Sequence, residues 1–123
     1  MSDNSIINFN QPLTPAVFHI LLALLDGEKH GYAIMKEVEA QTSGQIKMGP
    51  GTLYGSIKRM LAAGLIEETD ERPAPELDDE RRRYYRTTAQ GQSVVVAESK
   101  RLASAVKTAQ AKGVLVYMRE SLL

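Results

Sequence analysis

The side chains able to do chemistry in this chain are few in kind. There is no cysteine and there are only two histidines, His19 and His30. Disulfides, thiolate metal sites and thiol nucleophiles are therefore excluded. His19 lies in an apolar run with no ligand cluster around it, and reads as a core or interface residue rather than a metal or catalytic group. What remains is charge and hydroxyl. The stretch GPGTLYGSIKRMLAAGLIEE, Gly49 to Glu68, carries Thr52, Tyr54, Lys58 and Arg59 among the small residues Pro50, Gly51 and Gly55. Further along stands RRRYYR, with Arg81, Arg82, Arg83 and Arg86. Hydroxyls and cations interleaved with glycine suit contact with phosphates or with the polar edges of bases.

Bulk charge does not argue for such a partner, since the formal net charge is zero. Local charge does. From Gly44 to Ile66 the only charges are Lys47, Lys58 and Arg59. From Glu67 to Glu80 the chain is acidic apart from Arg72, and the arginine cluster follows. The 123 residues suit one domain, and 43% hydrophobic with 24% charged residues is a globular composition. No apolar run is long enough to cross a bilayer, and the start, MSDNSIINFN, lacks the features of a secretory signal. A cytoplasmic protein with no membrane partner is expected.

The elements that must position these residues can be read from capping and period. LTPAVFHILLALLDG is a helix with Thr14 as N-cap, Pro15 in the first position and Gly27 as the stop. Its apolar residues run nearly all round, so it is the buried helix. HGYAIMKEVEAQTSGQ is a second, shorter helix with Ile34, Met35 and Val38 inward. In the third, Leu53, Ile57, Met60 and Leu61 form one stripe, Gly49 and Pro50 start it and Gly64 ends it. The opposite face is then Gly51, Gly55, Lys58 and Ala62, flanked by Thr52, Tyr54 and Arg59. LIEET and RRRYYRTT read as two strands joined by the polar, proline-containing loop DERPAPELDDE. Along the second strand one tyrosine should point inward, and some arginines should lie along a phosphate backbone while others pair with the acidic loop, Glu76 to Glu80. A long helix from about Ala89 to Lys112 closes the order. Its seam, Val95, Leu102, Val106 and Ala109, is close to a heptad and needs a partner, either the domain itself or another chain.

Three helices, a hairpin and a long helix make a winged helix-turn-helix. The fold class expected is mainly α with a small two-stranded β-hairpin, followed by a C-terminal dimerisation helix. Residues 1–12 form an N-terminal arm, 13–88 the winged helix and 89–123 the dimerisation helix and tail. A helix entering the major groove needs small residues where backbone approaches the bases, and Gly51 and Gly55 supply them. Gly55 costs the helix about 1 kcal/mol against alanine, so a use for it is expected. Each residue also has a plainer reading: Pro50 and Gly51 start a helix, Tyr54 packs against the second helix, and Lys58 and Arg59 are solvated surface charge. Their convergence on one helix favours the interface.

The same residues resemble the PadR family of bacterial transcriptional regulators. LTPAVFHILLALLDGEKHGYAIMKEV, GPGTLYGSIKRMLAAGLIEE and RRRYYRTTAQG carry the likeness, from about Leu13 to Gly91. The resemblance implies a winged-helix DNA-binding domain with a C-terminal dimerisation helix. It further implies a repressor released by small phenolic or lipophilic effectors. Thr52, Leu53 and Tyr54 match the family's recognition helix, with Thr52 and Tyr54 near DNA. His30, Gly31 and Tyr32 match the start of the second helix, where Tyr32 reaches a phosphate. Arg83, Tyr84 and Tyr85 match the second wing strand. The chain departs from the pattern at Gly55, where the family often has a bulkier residue, at Thr87, where leucine is usual, and in a tail without tryptophan.

The expected function is therefore a homodimeric, sequence-specific regulator of transcription that binds double-stranded DNA and takes no cofactor. The DNA-binding residues expected are Tyr32, Pro50, Gly51, Thr52, Tyr54, Gly55, Lys58, Arg59, Arg81, Arg82 and Arg83. The dimer residues expected are Val95, Leu102, Val106 and Ala109. The alternative is a winged helix used for protein contacts, without specific DNA binding. Nothing in the sequence supports catalysis: there is no phosphate-binding glycine loop after a strand and no clustered acid pair.

Overall fold

The computed structural model describes residues 12–69 and 83–116. The expected N-terminal arm, the acidic loop Glu76 to Glu80, Arg81 and Arg82, and the tail beyond Val116 lie outside the described residues. The order is α1 (Pro15–Ala23), β1 (Lys29–His30), α2 (Gly31–Gln41), α3 (Pro50–Ala62), β2 (Ile66–Thr69), β3 (Tyr84–Thr87) and α4 (Ala89–Ala111).

The helix ends follow the capping signals. The Thr14 hydroxyl accepts the Val17 N–H at 3.2 Å. Pro15 opens α1, which ends at Ala23, short of Gly27, and the chain turns through Leu24 to Asp26 before β1. Gly49 and Pro50 start α3, and Gly64 ends it in the left-handed region at φ 78°. Thr88 caps α4 by accepting the Gly91 N–H at 3.0 Å. Its hydroxyl also donates to the Gly64 carbonyl at 2.6 Å, and its N–H donates to the Leu65 carbonyl at 3.0 Å. One residue thus ties the end of α3, the start of β2 and the start of α4.

The sheet has three strands in the order β1-β3-β2, one more than the expected hairpin. Lys29 lies opposite Tyr85 and His30 opposite Tyr84, both antiparallel. Two residues carry no alternation to read. This strand exists because β3 offers an open edge where the chain passes from α1 to α2. On the other edge, Ile66 pairs with Thr87, Glu67 with Arg86, Glu68 with Tyr85 and Thr69 with Tyr84. The extra strand also explains why both tyrosines of β3 are buried, where one was expected: Tyr85 is 4% exposed and Tyr84 7%. Tyr85 joins the core, while His30 of β1 meets Tyr84 edge-on across the opposite face, at 5.3 Å and 89°.

The core is built from Val17, Ile20, Leu21 and Leu24 of α1, Ile34 and Val38 of α2, and Leu53, Ile57 and Met60 of α3, closed by Leu65, Ile66 and Tyr85. Val95 of α4 belongs to it as well, at 1% exposure. The expected pairing seam is corrected there: Val95 is consumed by the chain's own core, because the first turns of α4 lie against α1. From Ser99 to Thr108 every residue of α4 is exposed.

Glu98 marks the divide, a buried carboxylate one turn beyond Val95. Arg101 bonds it through two nitrogens, at 2.5 and 3.1 Å. That bonding, together with the Leu13 N–H, holds its carboxyl below the usual carboxylate range. A depressed folded value means stability present above the unfolded carboxylate range and lost as pH falls through the folded one. Glu98→Gln is therefore expected to lower the unfolding midpoint at neutral pH, with the gap to the parent closing in acid. Urea titrations across pH check it.

Candidate nucleic-acid interface

Helix α3 presents one polar face. Gly51, Thr52, Tyr54, Lys58 and Ala62 are exposed, while Leu53, Ile57 and Met60 are buried, as the stripe requires. Leu61, expected within the stripe, is only partly covered, and Ser56 takes the inner position instead, fully buried. A serine breaks the apolar pattern, so the sequence hid it. Its hydroxyl accepts from Arg59 Nη2 at 3.2 Å. Arg59 is thereby drawn along its own helix and half-buried. Lys58 has no hydrogen-bond or ion-pair partner among the described residues. No side chain caps the start of α3, so its first-turn N–H groups after Pro50 add partial positive charge beside Gly51 and Thr52.

Tyr54 is 49% exposed, and its other side is seated on α2. Its phenol lies over Gly31, where any Cβ would overlap the ring. The plainer expectation for Tyr54, packing against the second helix, and the interface expectation are thus compatible: one edge of the ring is held and the other faces out. Gly31 is the residue that permits it. Its neighbours are equally occupied. His30 Nδ1 accepts the Ala33 N–H at 3.2 Å and caps α2, which places the neutral ring's proton on Nε2. Tyr32, exposed, stacks on His30 at 6.5 Å and 17°, and Lys36 stands 5.7 Å from the Tyr32 ring centre. Lys36 is a cation on this side that sequence reasoning passed over; its i+4 spacing from Tyr32 was the signal.

The wing is less basic than its sequence. Arg83 Nη1 bonds both Glu68 oxygens, at 3.2 and 3.3 Å, and Arg86 Nε bonds Glu67 at 2.8 Å. The partners are thus on the adjoining strand; the acidic loop expected to pair with them lies outside the described residues. Tyr85 reports the same cluster from inside. Burial raises its hydroxyl above the usual phenol range, and Glu68 and Tyr54 add to the shift against Arg83. Among the expected site residues, Tyr54 is therefore drawn close to the start of α2 that carries Tyr32. Pro50, Gly51, Thr52, Gly55 and Lys58 line the rest of α3, and Arg83 lies at the wing. Among the described residues no cluster of His, Asp and Glu could hold a metal ion. No helix among them is long and apolar enough to cross a membrane.

A helical hairpin, a third helix open along one side and an antiparallel sheet define a winged helix-turn-helix protein. The model of the PadR-like family of transcriptional regulators matches residues 20–97, and the chain belongs to that family, which comprises transcriptional regulators and not enzymes. Its fold is that of a transcriptional regulator from Clostridium thermocellum, 24% identical with a TM-score of 0.63, covering 78% of this chain and 87% of that one. It is also that of a PadR family regulator from Clostridium difficile, 22% identical with a TM-score of 0.63, covering 83% of this chain and all 100% of that one. Bacillus subtilis PadR, whose structure is a complex with operator DNA, matches with a TM-score of 0.58 at 18% identity, over 71% of this chain and 46% of that one. An uncharacterized protein in a transposon of Streptomyces fradiae is 45% identical over 53 residues, 43% of this chain and 15% of that protein.

Two glycine changes should have opposite signs. Gly31→Ala drives a methyl into the Tyr54 ring and should destabilise by about 1–3 kcal/mol. At Gly55 the nearest atom to an added Cβ is the flexible end of Arg59 at 3.7 Å. Gly55→Ala should therefore stabilise by up to about 1 kcal/mol. Denaturant midpoints of the two variants decide both.

Proposed function

We propose that the chain is a sequence-specific DNA-binding regulator of transcription in the cytoplasm, acting as a homodimeric repressor, with α3 as the element that enters the major groove. The observation that carries this reading is the exposed face of α3. Small residues and hydroxyls (Gly51, Thr52, Tyr54) are followed one turn on by Lys58, a cation without a partner among the described residues, all opposite the buried Leu53, Ile57 and Met60. That face can approach base edges closely, and nothing among the described residues explains the glycine at position 55. Tyr32 and Arg83 flank it and would set register on the phosphates without reading sequence. Membership of a regulator family and a fold shared with an operator-bound relative support the same reading.

Pairing rests on α4. Its outer half has no covering among the described residues, and Leu102 and Val106 stand 38% and 45% exposed on one stripe leading to Ala109. A helical half of that length is marginal alone, and a second copy of the stripe would stabilise it. Two recognition helices related by that pairing would suit half-sites about one helical turn apart. A small hydrophobic or phenolic effector would release the DNA by favouring a dimer geometry that no longer fits that spacing.

The first test is titration of the duplex upstream of the protein's own gene against a scrambled duplex at two salt concentrations. Tighter binding to the native duplex, weakening with salt, is the expected result. Lys58→Gln should reduce the slope of log affinity against log salt by about one unit. Equal, feeble binding to both duplexes would favour the protein-contact alternative, which the neutralised wing arginines make the next reading. Leu102→Glu sets two carboxylates facing each other across the seam. Sedimentation should then report monomer, and an intact dimer would move the interface elsewhere.

A further inference from the structure

We propose that Glu68 is a built-in competitor for the DNA backbone: its carboxylate holds Arg83 in the free protein, and the wing engages a phosphate by giving up that ion pair. The inference rests on the DNA-binding reading above and adds to it a residue that sets how strongly the wing grips any duplex.

The sheet register separates the two acidic residues of β2. Directly opposed residues share a face, so Ile66, Glu68, Tyr85 and Thr87 lie on one side of the sheet and Glu67, Thr69, Tyr84 and Arg86 on the other. Arg83, one residue before β3, continues the alternation onto the Glu68 side and reaches diagonally to Glu68 at 3.2 Å. This is also the side on which α3 packs, because Ile66 and Tyr85 on that face share one core with Leu53, Ile57 and Met60 of α3. The second pair, Arg86 with Glu67 at 2.8 Å, occupies the opposite face. Only one of the two pairs therefore stands beside α3.

That pair is built to exchange. Its side chains are 70% and 46% exposed, so water screens it and it holds weakly. Glu68 engages a single nitrogen of the guanidinium, Nη1, while phosphate accepts the full fork of arginine. With Glu68 in place the Glu68–Arg83 pair carries no net charge, and the carboxylate repels the phosphate that Arg83 would take. Lys58 on α3 has no such counter-charge among the described residues. The arrangement leaves the sequence-reading helix its charge and withholds charge from the part that grips any sequence.

The test is a salt series with the duplex from upstream of the gene and its scrambled counterpart, on the full chain. Glu68→Gln is nearly isosteric at an exposed position and should fold as the parent does. It should tighten both duplexes about two- to fivefold at low salt and steepen the salt slope by about one unit. Glu67→Gln changes net charge equally on the far face and sets the baseline, with a smaller gain. In an Arg83→Gln background, Glu68→Gln should gain nothing beyond that baseline. A Glu68→Gln variant no tighter than Glu67→Gln, or one that binds more weakly, overturns the inference while the parent's own binding stands. So does an undiminished gain in the Arg83→Gln background. A parent chain that binds neither duplex overturns the DNA reading, and this inference with it.

Discussion

The exposed face of α3 depends on the absence of a side chain at Gly31. The Tyr54 phenol occupies the volume that any other residue would fill, so the ring can keep its present seat on α2 only with glycine there. The constraint spreads in both directions along the chain. One residue earlier, His30 caps α2 through Nδ1 and pairs in β1 with Tyr84. One residue later, Tyr32 is turned outward and stacks on the His30 ring. Three consecutive residues thus join a strand, a helix start and the seat of α3. A tyrosine so anchored loses little further freedom on meeting a partner, which lowers the entropic cost of ordering it.

Charge follows a second logic. A neutral chain cannot rely on a broad positive field, so affinity must come from local placement. The structure distributes that placement unevenly. Arg59 is drawn onto Ser56, Arg83 and Arg86 are held by the glutamates of β2, and Lys58 has no partner among the described residues. Phosphate contacts give affinity without sequence information, while groove contacts discriminate. If α3 is the helix that reads DNA, the paired arginines of β3 beside the unpaired Lys58, among the described residues, would shift the balance from the first kind of contact toward the second.

Much of the fold was legible because helix ends are local chemistry. Thr14 with Pro15, Gly49 with Pro50, and Gly64 each acted within one turn, and the structure places them as the caps they resemble. What was not legible depended on distant neighbours. The strand at Lys29 and His30 exists only because β3 has an open edge, and no two-residue pattern announces that. Alternation along β3 correctly put its tyrosines on opposite faces, but could not show that His30 covers the outer one. Val95 fitted a heptad as well as Leu102 did. Period alone cannot tell a stripe buried by the chain's own α1 from one left open. Ser56 and Glu68 are polar residues whose roles are set by Arg59 and Arg83, so neither has a signal in composition or spacing.

The helix that would join two copies is connected to the helix that would read DNA through very little material. Thr88 begins α4 while its hydroxyl holds the last turn of α3 at Gly64 and its N–H holds Leu65. Close beside it, Gly91 lets α4 cross the Leu65 carbonyl at a distance that excludes a Cβ. Further along, Val95 and Glu98 pin the helix to α1 and to the backbone of Leu13. Only after Glu98 is α4 released from the domain. A rotation of the outer half about that divide need not disturb the core. A rotation of the whole helix must break the Thr88 bonds and so must move the end of α3. In a paired molecule the first kind of motion changes the distance between two recognition helices while each keeps its own shape. Were two copies to pair through α4, Glu98, rather than the capping threonine, would be the place where a change in their geometry costs least.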